Sequence, residues 1–156
     1  MLPSFSYKDH VRKEWVDYNG HMNDAEYARV FSLSVDSFMD YIGLHEAARQ
    51  SLNYTIFTLE THLCYLKEAH EGEELTVEVQ LLDDDAKRLH VFFMMKNRDG
   101  AEIATSEQML MGMDTTEGRP APFPPEVSSI IEKIRSAHEH LQSPKQVGRQ
   151  IGIKKR

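Results

Sequence analysis

Residues 15–27, Trp-Val-Asp-Tyr-Asn-Gly-His-Met-Asn-Asp-Ala-Glu-Tyr, hold the densest set of groups able to do chemistry. Asp17 supplies a carboxylate at the start of the turn-forming run Asp17-Tyr18-Asn19-Gly20. Just past it, Asn23 or Asp24 is suited to cap a helix, whose first backbone N–H groups have no partner within the helix. The N–H groups near His21, Met22 and Asn23 are therefore expected to be free, and the helix dipole favours negative charge beside them. A carboxylate next to such donors meets the needs of acyl transfer to water. It offers a base or nucleophile, and partners for the oxyanion that develops on a carbonyl. Gly20 is expected to let the backbone approach a bound group closely. His21 reads as a positioning residue that donates to backbone, and Asn23 as the helix cap.

Other chemistries find less support. His21, His62, His70 and His90 have no ligand spacing, and His138 with His140 reads as a surface pair on a helix. No metal and no cofactor is expected. A Ser-based hydrolase lacks its Gly-x-Ser-x-Gly elbow. The formal charge of −7 disfavours nucleic acid, whose phosphates select basic surfaces. No apolar run approaches the roughly 18 residues of a membrane span. Cys64 is the only cysteine, and the start Met-Leu-Pro-Ser-Phe-Ser-Tyr-Lys has no apolar secretory core, so a reducing cytoplasm is expected.

The chain of 156 residues, 40% hydrophobic and 28% charged, has the size and composition of one soluble domain. Residues 1–142 are expected to form it, with 143–156 as a basic tail, mobile or docked on a partner subunit. A short strand is expected over 7–16. A helix over 24–42 carries Tyr27, Ala28, Phe31, Val35, Phe38 and Ile42 as one apolar stripe and ends at Gly43. After a looser stretch over 45–53 the period becomes two. Residues 55–66 place Phe57, Leu59, Leu63 and Tyr65 on one strand face and Glu60, His62 and Cys64 on the other. Leu75, Val77, Val79 and Leu81 mark the next strand, with a turn at Asp83-Asp84-Asp85. Leu89, Val91, Phe93 and Met95 mark another; a last strand spans 103–114 and a final helix 126–141. The order is strand, long helix, then four antiparallel strands: an α+β architecture whose sheet has one face for the helix to cover. A helix wrapped by a curved antiparallel sheet is the hot-dog arrangement. Its unpaired edge strand suggests a homodimer, and a tetramer is compatible.

The run from Asp17 to Asn23 resembles the Asp-x-x-Gly-His-x-Asn signature of the 4-hydroxybenzoyl-CoA thioesterase-like branch of the hot-dog superfamily, matched by Asp17, Gly20, His21 and Asn23. It departs in one respect: many relatives carry a further Asp where this chain has Trp15. The resemblance implies a thioester hydrolase in which Asp17 either activates water or attacks the carbonyl carbon. A fuller likeness, over residues 9–152, is carried by Val16-Asp-Tyr-Asn-Gly-His-Met22, Leu59-Glu-Thr-His62, Asp85-Ala-Lys-Arg-Leu-His90, Ala104-Thr-Ser-Glu-Gln-Met-Leu110 and Thr116-Glu-Gly-Arg119. These look like the betainyl-CoA thioesterases of carnitine breakdown, which also occur as the C-terminal part of fused L-carnitine dehydrogenases. No Gly-x-Gly-x-x-Gly motif of such a dehydrogenase is present.

A betainyl group ends in a quaternary ammonium with no N–H, so it is recognised by aromatic faces and nearby carboxylates. Trp15 and Tyr18 flank Asp17, and Tyr54 and Phe57 open the second strand. Glu60 and Glu107 sit mid-strand, where charge is unusual unless paired or functional. These six are the candidate substrate-binding residues. Lys87, Arg88 and Arg119 are candidates for the CoA phosphates, as is the basic tail with Arg149, Lys154, Lys155 and Arg156. A thioesterase for other short or medium acyl-CoA would share Asp17 and differ in the pocket. A non-catalytic acyl-CoA-binding module would have no use for Asp17.

Overall fold

The computed structural model describes residues 4–155. In chain order these form β1 (Ser6–His10), a 3-10 turn (Lys13–Trp15), α1 (Asp24–Tyr41), α2 (Glu46–Leu52), β2 (Tyr54–Tyr65), β3 (Glu74–Asp84), β4 (Arg88–Asn97), β5 (Glu102–Asp114), β6 (Arg119–Pro120) and α3 (Pro125–His138). One antiparallel sheet runs β1-β3-β4-β5-β2, with the short β6 added to β5. Period-two apolar residues make its inner face: Leu75 and Val77, then Leu89, Val91, Phe93 and Met95, then Ala104 and Leu110. α1 lays Tyr27, Val30, Phe31, Val35 and Phe38 against that face, with Phe38 edge-on to Phe93 at 6.3 Å between ring centroids. This is the expected helix-in-sheet arrangement. Ala28, assigned to the buried stripe from its spacing, is exposed.

α1 begins where expected, but neither expected side-chain cap forms in the usual way. Asn23 occupies the cap position without a side-chain bond, and the Asp24 carboxylate accepts only from the adjacent Ala25 N–H. Gly43, at φ +98°, allows the chain to turn after α1, a conformation that costs a residue with a Cβ. The stretch 45–53 is more ordered than its sequence suggests. His45 Nδ1 accepts from Ala48 N–H and caps α2, and Asn53 ends it with φ 51°. None of the residues of α2 is buried, so it has no apolar stripe to read.

β2 holds the main departure in register. Thr58 pairs with Leu110 and Glu60 with Met109, leaving Leu59 as an extra residue. Such a bulge inverts the alternation of everything before it. Leu63 and Tyr65 pair with inner-face residues as expected, whereas Phe57 turns outward, 52% exposed, and Ile56 is buried instead. The first strand is shorter than the expected 7–16, because the chain coils into the 3-10 turn to bury Trp15.

α3 buries Val127, Ile131 and Ile134 beside β3 and the end of α1. Arg135 grips Asp84 through two hydrogen bonds, and His138 Nδ1 accepts from Leu81 N–H at 3.0 Å. The tail's first half is not free. Residues 142–146 cover Phe92 and Met94 on the outer sheet face, and Gly148 N–H donates to Glu107 at 2.8 Å. Ile151 and Ile153 project into solvent, and Arg156 lies outside the described residues.

Candidate active site

The segment before α1 closes on itself. Val16 and Met22 form an antiparallel bridge, Asp17 N–H donates to His21 O, and Gly20 N–H donates to Asp17 O. Inside this turn, Asp17 Oδ1 accepts from Asn19 N–H at 2.9 Å and His21 N–H at 3.2 Å. The half-buried carboxylate is thereby held at the amino end of α1. Gly20 is needed for a reason other than the expected close approach. A Cβ there would meet open space, but its φ of +78° is one that L side chains rarely adopt.

The expected free amides are all engaged. His21 N–H is taken by Asp17, Met22 N–H donates to Ala69 O at 2.8 Å, and Asn23 N–H donates to Trp15 O at 2.9 Å. They belong to the turn that precedes the helix, where the folded-back loop satisfies them. Glu26 N–H returns to Asn23 O, and Ala25 N–H to the Asp24 carboxylate. Among the described residues, Asp24 N–H, the first of α1, is the helix-start amide with no acceptor in the hydrogen-bond network.

The loop after β2 forms the other wall. Glu71 N–H donates to Gly20 O, and His21 bridges to His70. Buried Tyr27 uses its hydroxyl to accept from Ala69 N–H at 3.1 Å and to reach Lys67 O; burial raises its pKa. Tyr65 donates to Asp24 O at 3.3 Å. Tyr27, first read as core, is thus also a brace between helix start and loop. His21, Glu68 and His70 bring one potential ligand atom each within 4.8 Å of one another, a grouping that sequence spacing does not reveal because the residues belong to two distant segments.

The candidate substrate residues are dispersed. Trp15 is buried, with the Arg12 guanidinium 4.6 Å over its ring, while Tyr18 beside Asp17 is 97% exposed. Tyr54 is buried at the opposite end of β2, where its hydroxyl donates to Ala121 O and desolvation raises its pKa. Phe57 and Glu60 are exposed on β2. Glu107 lies on the outer sheet face, where it meets His90 Nε2 at 2.7 Å as well as the tail. Lys87 lies in the β3–β4 turn beside Arg88. Arg88 is ion-paired with Asp85, whose pKa falls to about 2 through that hydrogen bond and the Lys87 amide. Arg119 opens β6 opposite Asp114. Within one chain these cations sit at the Tyr54–Asp114 end of the sheet, whereas Asp17 sits by α1's start, near the Tyr65–Ala104 end.

Among the described residues, cavities flank α1 beside Ser37, Asp40 and Tyr41, about 390 Å³, and at two larger places. The larger, about 660 Å³, lies between Phe38, Tyr41 and α3, at the end of the helix away from Asp17. The other, about 490 Å³, opens between α1 and β2 and is lined by Ala28, Phe31, Ser32, Thr61, Leu63 and Gln108. Gln108 is 4% exposed and donates through Nε2 to Ser106 Oγ, but its Oε1 has no partner. It was not a candidate from sequence. The one available signal is its place in the buried alternation Ala104, Ser106, Gln108, Leu110.

A family model described as thioesterase-like superfamily matches residues 11–131. A betainyl-CoA thioesterase from Pseudomonas aeruginosa is 43% identical over 149 residues, covering 95% of this chain and 94% of its own length. An L-carnitine dehydrogenase/betainyl-CoA thioesterase from Rhizobium meliloti is 36% identical over 93% of this chain, which spans 29% of that longer protein. Among solved structures, a Staphylococcus aureus protein characterised in complex with CoA is 36% identical. It superimposes with TM-score 0.92 over 99% of this chain and 98% of its own. A 1,4-dihydroxy-2-naphthoyl-CoA thioesterase from Synechocystis, 16% identical with TM-score 0.72 over 85% of this chain and 98% of its own, shares the fold. With its long helix held in an antiparallel half-barrel and its match across most of the domain, this hot-dog chain belongs to the thioesterase-like superfamily.

Proposed function

We propose that the protein hydrolyses betainyl-CoA to glycine betaine and CoA, with Asp17 as the general base or nucleophile. The observation that carries this reading is the match to the P. aeruginosa betainyl-CoA thioesterase across nearly the full length of both chains. The site is consistent with it. Asp17 is fixed in the turn that leads into α1, and among the described residues the first amide of that helix, Asp24 N–H, has no acceptor, which supports a role for it as an oxyanion donor. Gly20, His21, Met22 and Asn23 then serve by shaping the turn that holds Asp17.

A homodimer completes this reading. β2 is a 12-residue edge strand with an unpaired row of backbone groups and exposed Phe57 and Leu59. Two-fold antiparallel pairing of β2 with its copy would set the Lys87–Arg88–Arg119 end of one chain beside Asp17 of the other. The cations would then be within reach of CoA phosphates, and the exposed Tyr18 ring could be enclosed against the ammonium. Residues 143–156 act as a tail appended to the domain 1–142, and the cytoplasm is the compartment that fits an acyl-CoA substrate.

Betainyl-CoA and 3,3-dimethylbutyryl-CoA are near-isosteric, and only the first is charged. A desolvated cation–π contact of about 2 kcal/mol favours the cation by roughly 30-fold in kcat/KM. Equal rates remove the betaine assignment. Asp17→Asn keeps the side-chain shape and is expected to lower kcat by about 10²–10⁴-fold with bound CoA unaffected; unchanged turnover removes the hydrolytic assignment to this carboxylate. One observation favours a second reading, hydrolysis of longer acyl-CoA. The cavity beside α1 runs from Ala28 to Val35, about 10 Å along the helix, which exceeds what a betainyl group fills. A rate that climbs from butyryl- to decanoyl-CoA supports that alternative.

A further inference from the structure

The turn that holds Asp17 also brings together side chains for which the hydrolytic reading has no use. His21 and His70 stand directly opposite one another in an isolated antiparallel bridge, and Glu68 lies two residues before His70. His21 Nε2 is 3.4 Å from a Glu68 carboxylate oxygen. The two imidazole rings are 4.8 Å apart at their centroids with planes at 78°. Potential ligand atoms from all three residues lie within 4.8 Å of one another.

These distances can be set against those of a tetrahedral cation. Bonds of about 2.0–2.2 Å to imidazole nitrogen and carboxylate oxygen place neighbouring ligand atoms about 3.4 Å apart and two imidazole centroids about 5 Å apart. The His21–Glu68 contact and the His21–His70 ring separation match those values, while the three ligand atoms together span up to 4.8 Å, so a cation has to draw the exposed Glu68 and His70 side chains inward. A separate feature points the same way. Glu73 Oε1 accepts from His70 N–H at 3.2 Å and lies 3.5 Å from His70 Nδ1. That carboxylate fixes the His70 backbone and stands near one ring nitrogen at ion-pair distance, the kind of neighbour often found behind metal-bound histidines.

We propose that His21, Glu68 and His70 form a binding site for a divalent cation of the zinc class, with water in the fourth position. Two imidazoles and one carboxylate suit zinc, cobalt and nickel and leave magnesium and calcium disfavoured. The site is at the surface, since the Glu68 and His70 side chains are 69% and 60% exposed. Its cation therefore exchanges with solvent. It takes no part in hydrolysis. It tightens the same turn that Asp17 fastens, because the His21 N–H that Asp17 accepts belongs to the same residue as the ligand.

Cobalt(II) titration of the full-length chain without a histidine tag tests this, because four-coordinate cobalt absorbs visible light far more strongly than its hydrated ion. One saturable site per chain with a four-coordinate spectrum, displaced by zinc, is expected. His70→Ala and Glu68→Gln should each weaken it by more than about tenfold, while a His138→Ala, His140→Ala double variant leaves it unchanged. Absence of saturable absorption overturns the proposal, as does a site that survives both His70→Ala and Glu68→Gln.

Discussion

Gln108 stands where the inner face of β5 is otherwise apolar or small, and it brings a carboxamide oxygen there without a partner. A buried unsatisfied acceptor costs about 1–3 kcal/mol, whereas replacing both members of a polar pair by apolar groups is close to neutral or stabilising. The double variant Ser106→Ala, Gln108→Leu is therefore expected to raise the stability of the ligand-free protein by about 1 kcal/mol in urea unfolding. A loss of that size would show the oxygen to be satisfied after all. The contrast with Asp17 shows what single residues disclose. Asp17 stands out in the sequence because a carboxylate, a glycine with the right spacing and a helix start fall in one short run. The His21, Met22 and Asn23 amides expected to be free are engaged. Sequence marks where a helix begins but not that Ala69 O and Trp15 O, from other segments, take the preceding amides. Gln108 and Glu68 did not stand out because the cavity wall and the His21 ring that they face come from segments distant in sequence.

Elements were legible in proportion to how regularly they bury one face. α1 and the strands β3 to β5 emerged within a few residues of their bounds, because their apolar residues repeat with one period throughout. α2 buries nothing, and β2 changes parity at Leu59, so periodicity misleads at both. The end of α3 carries a pH dependence that periodicity also conceals. His138 Nδ1 accepts the Leu81 N–H, which requires a neutral ring, and its pKa is lowered from 6.5, first by burial and then by His140. As pH falls through 6.5 the unfolded chain takes up this proton while the folded chain resists it. The contribution is thus fully present above that pH and declines below it. Between roughly pH 7 and roughly pH 5.5 the wild type should lose more urea resistance than His138→Gln, whose amide oxygen can still accept from Leu81. Equal losses would show that this histidine does not govern the slope.

For the whole molecule, element order was enough to indicate an α+β fold of hot-dog topology. The position of the tail was not indicated, since residues 142–149 have no apolar period and their anchor is the side chain of Glu107 on β5. The edge strand makes the assembly testable. Charges on an exposed strand edge oppose pairing, so Phe57→Lys with Leu59→Lys is expected to shift a dimer to monomer in sedimentation velocity and to reduce turnover in parallel. A dimer that persists with both lysines must use another surface. The tail also changes what the outer face of the sheet offers to a neighbour. Because residues 142–146 run beside Phe92 and Met94 and Gly148 is bonded to Glu107, a partner that approached that face would meet the polar tail before it met the two apolar side chains, and direct contact with them would require breaking the Gly148–Glu107 bond.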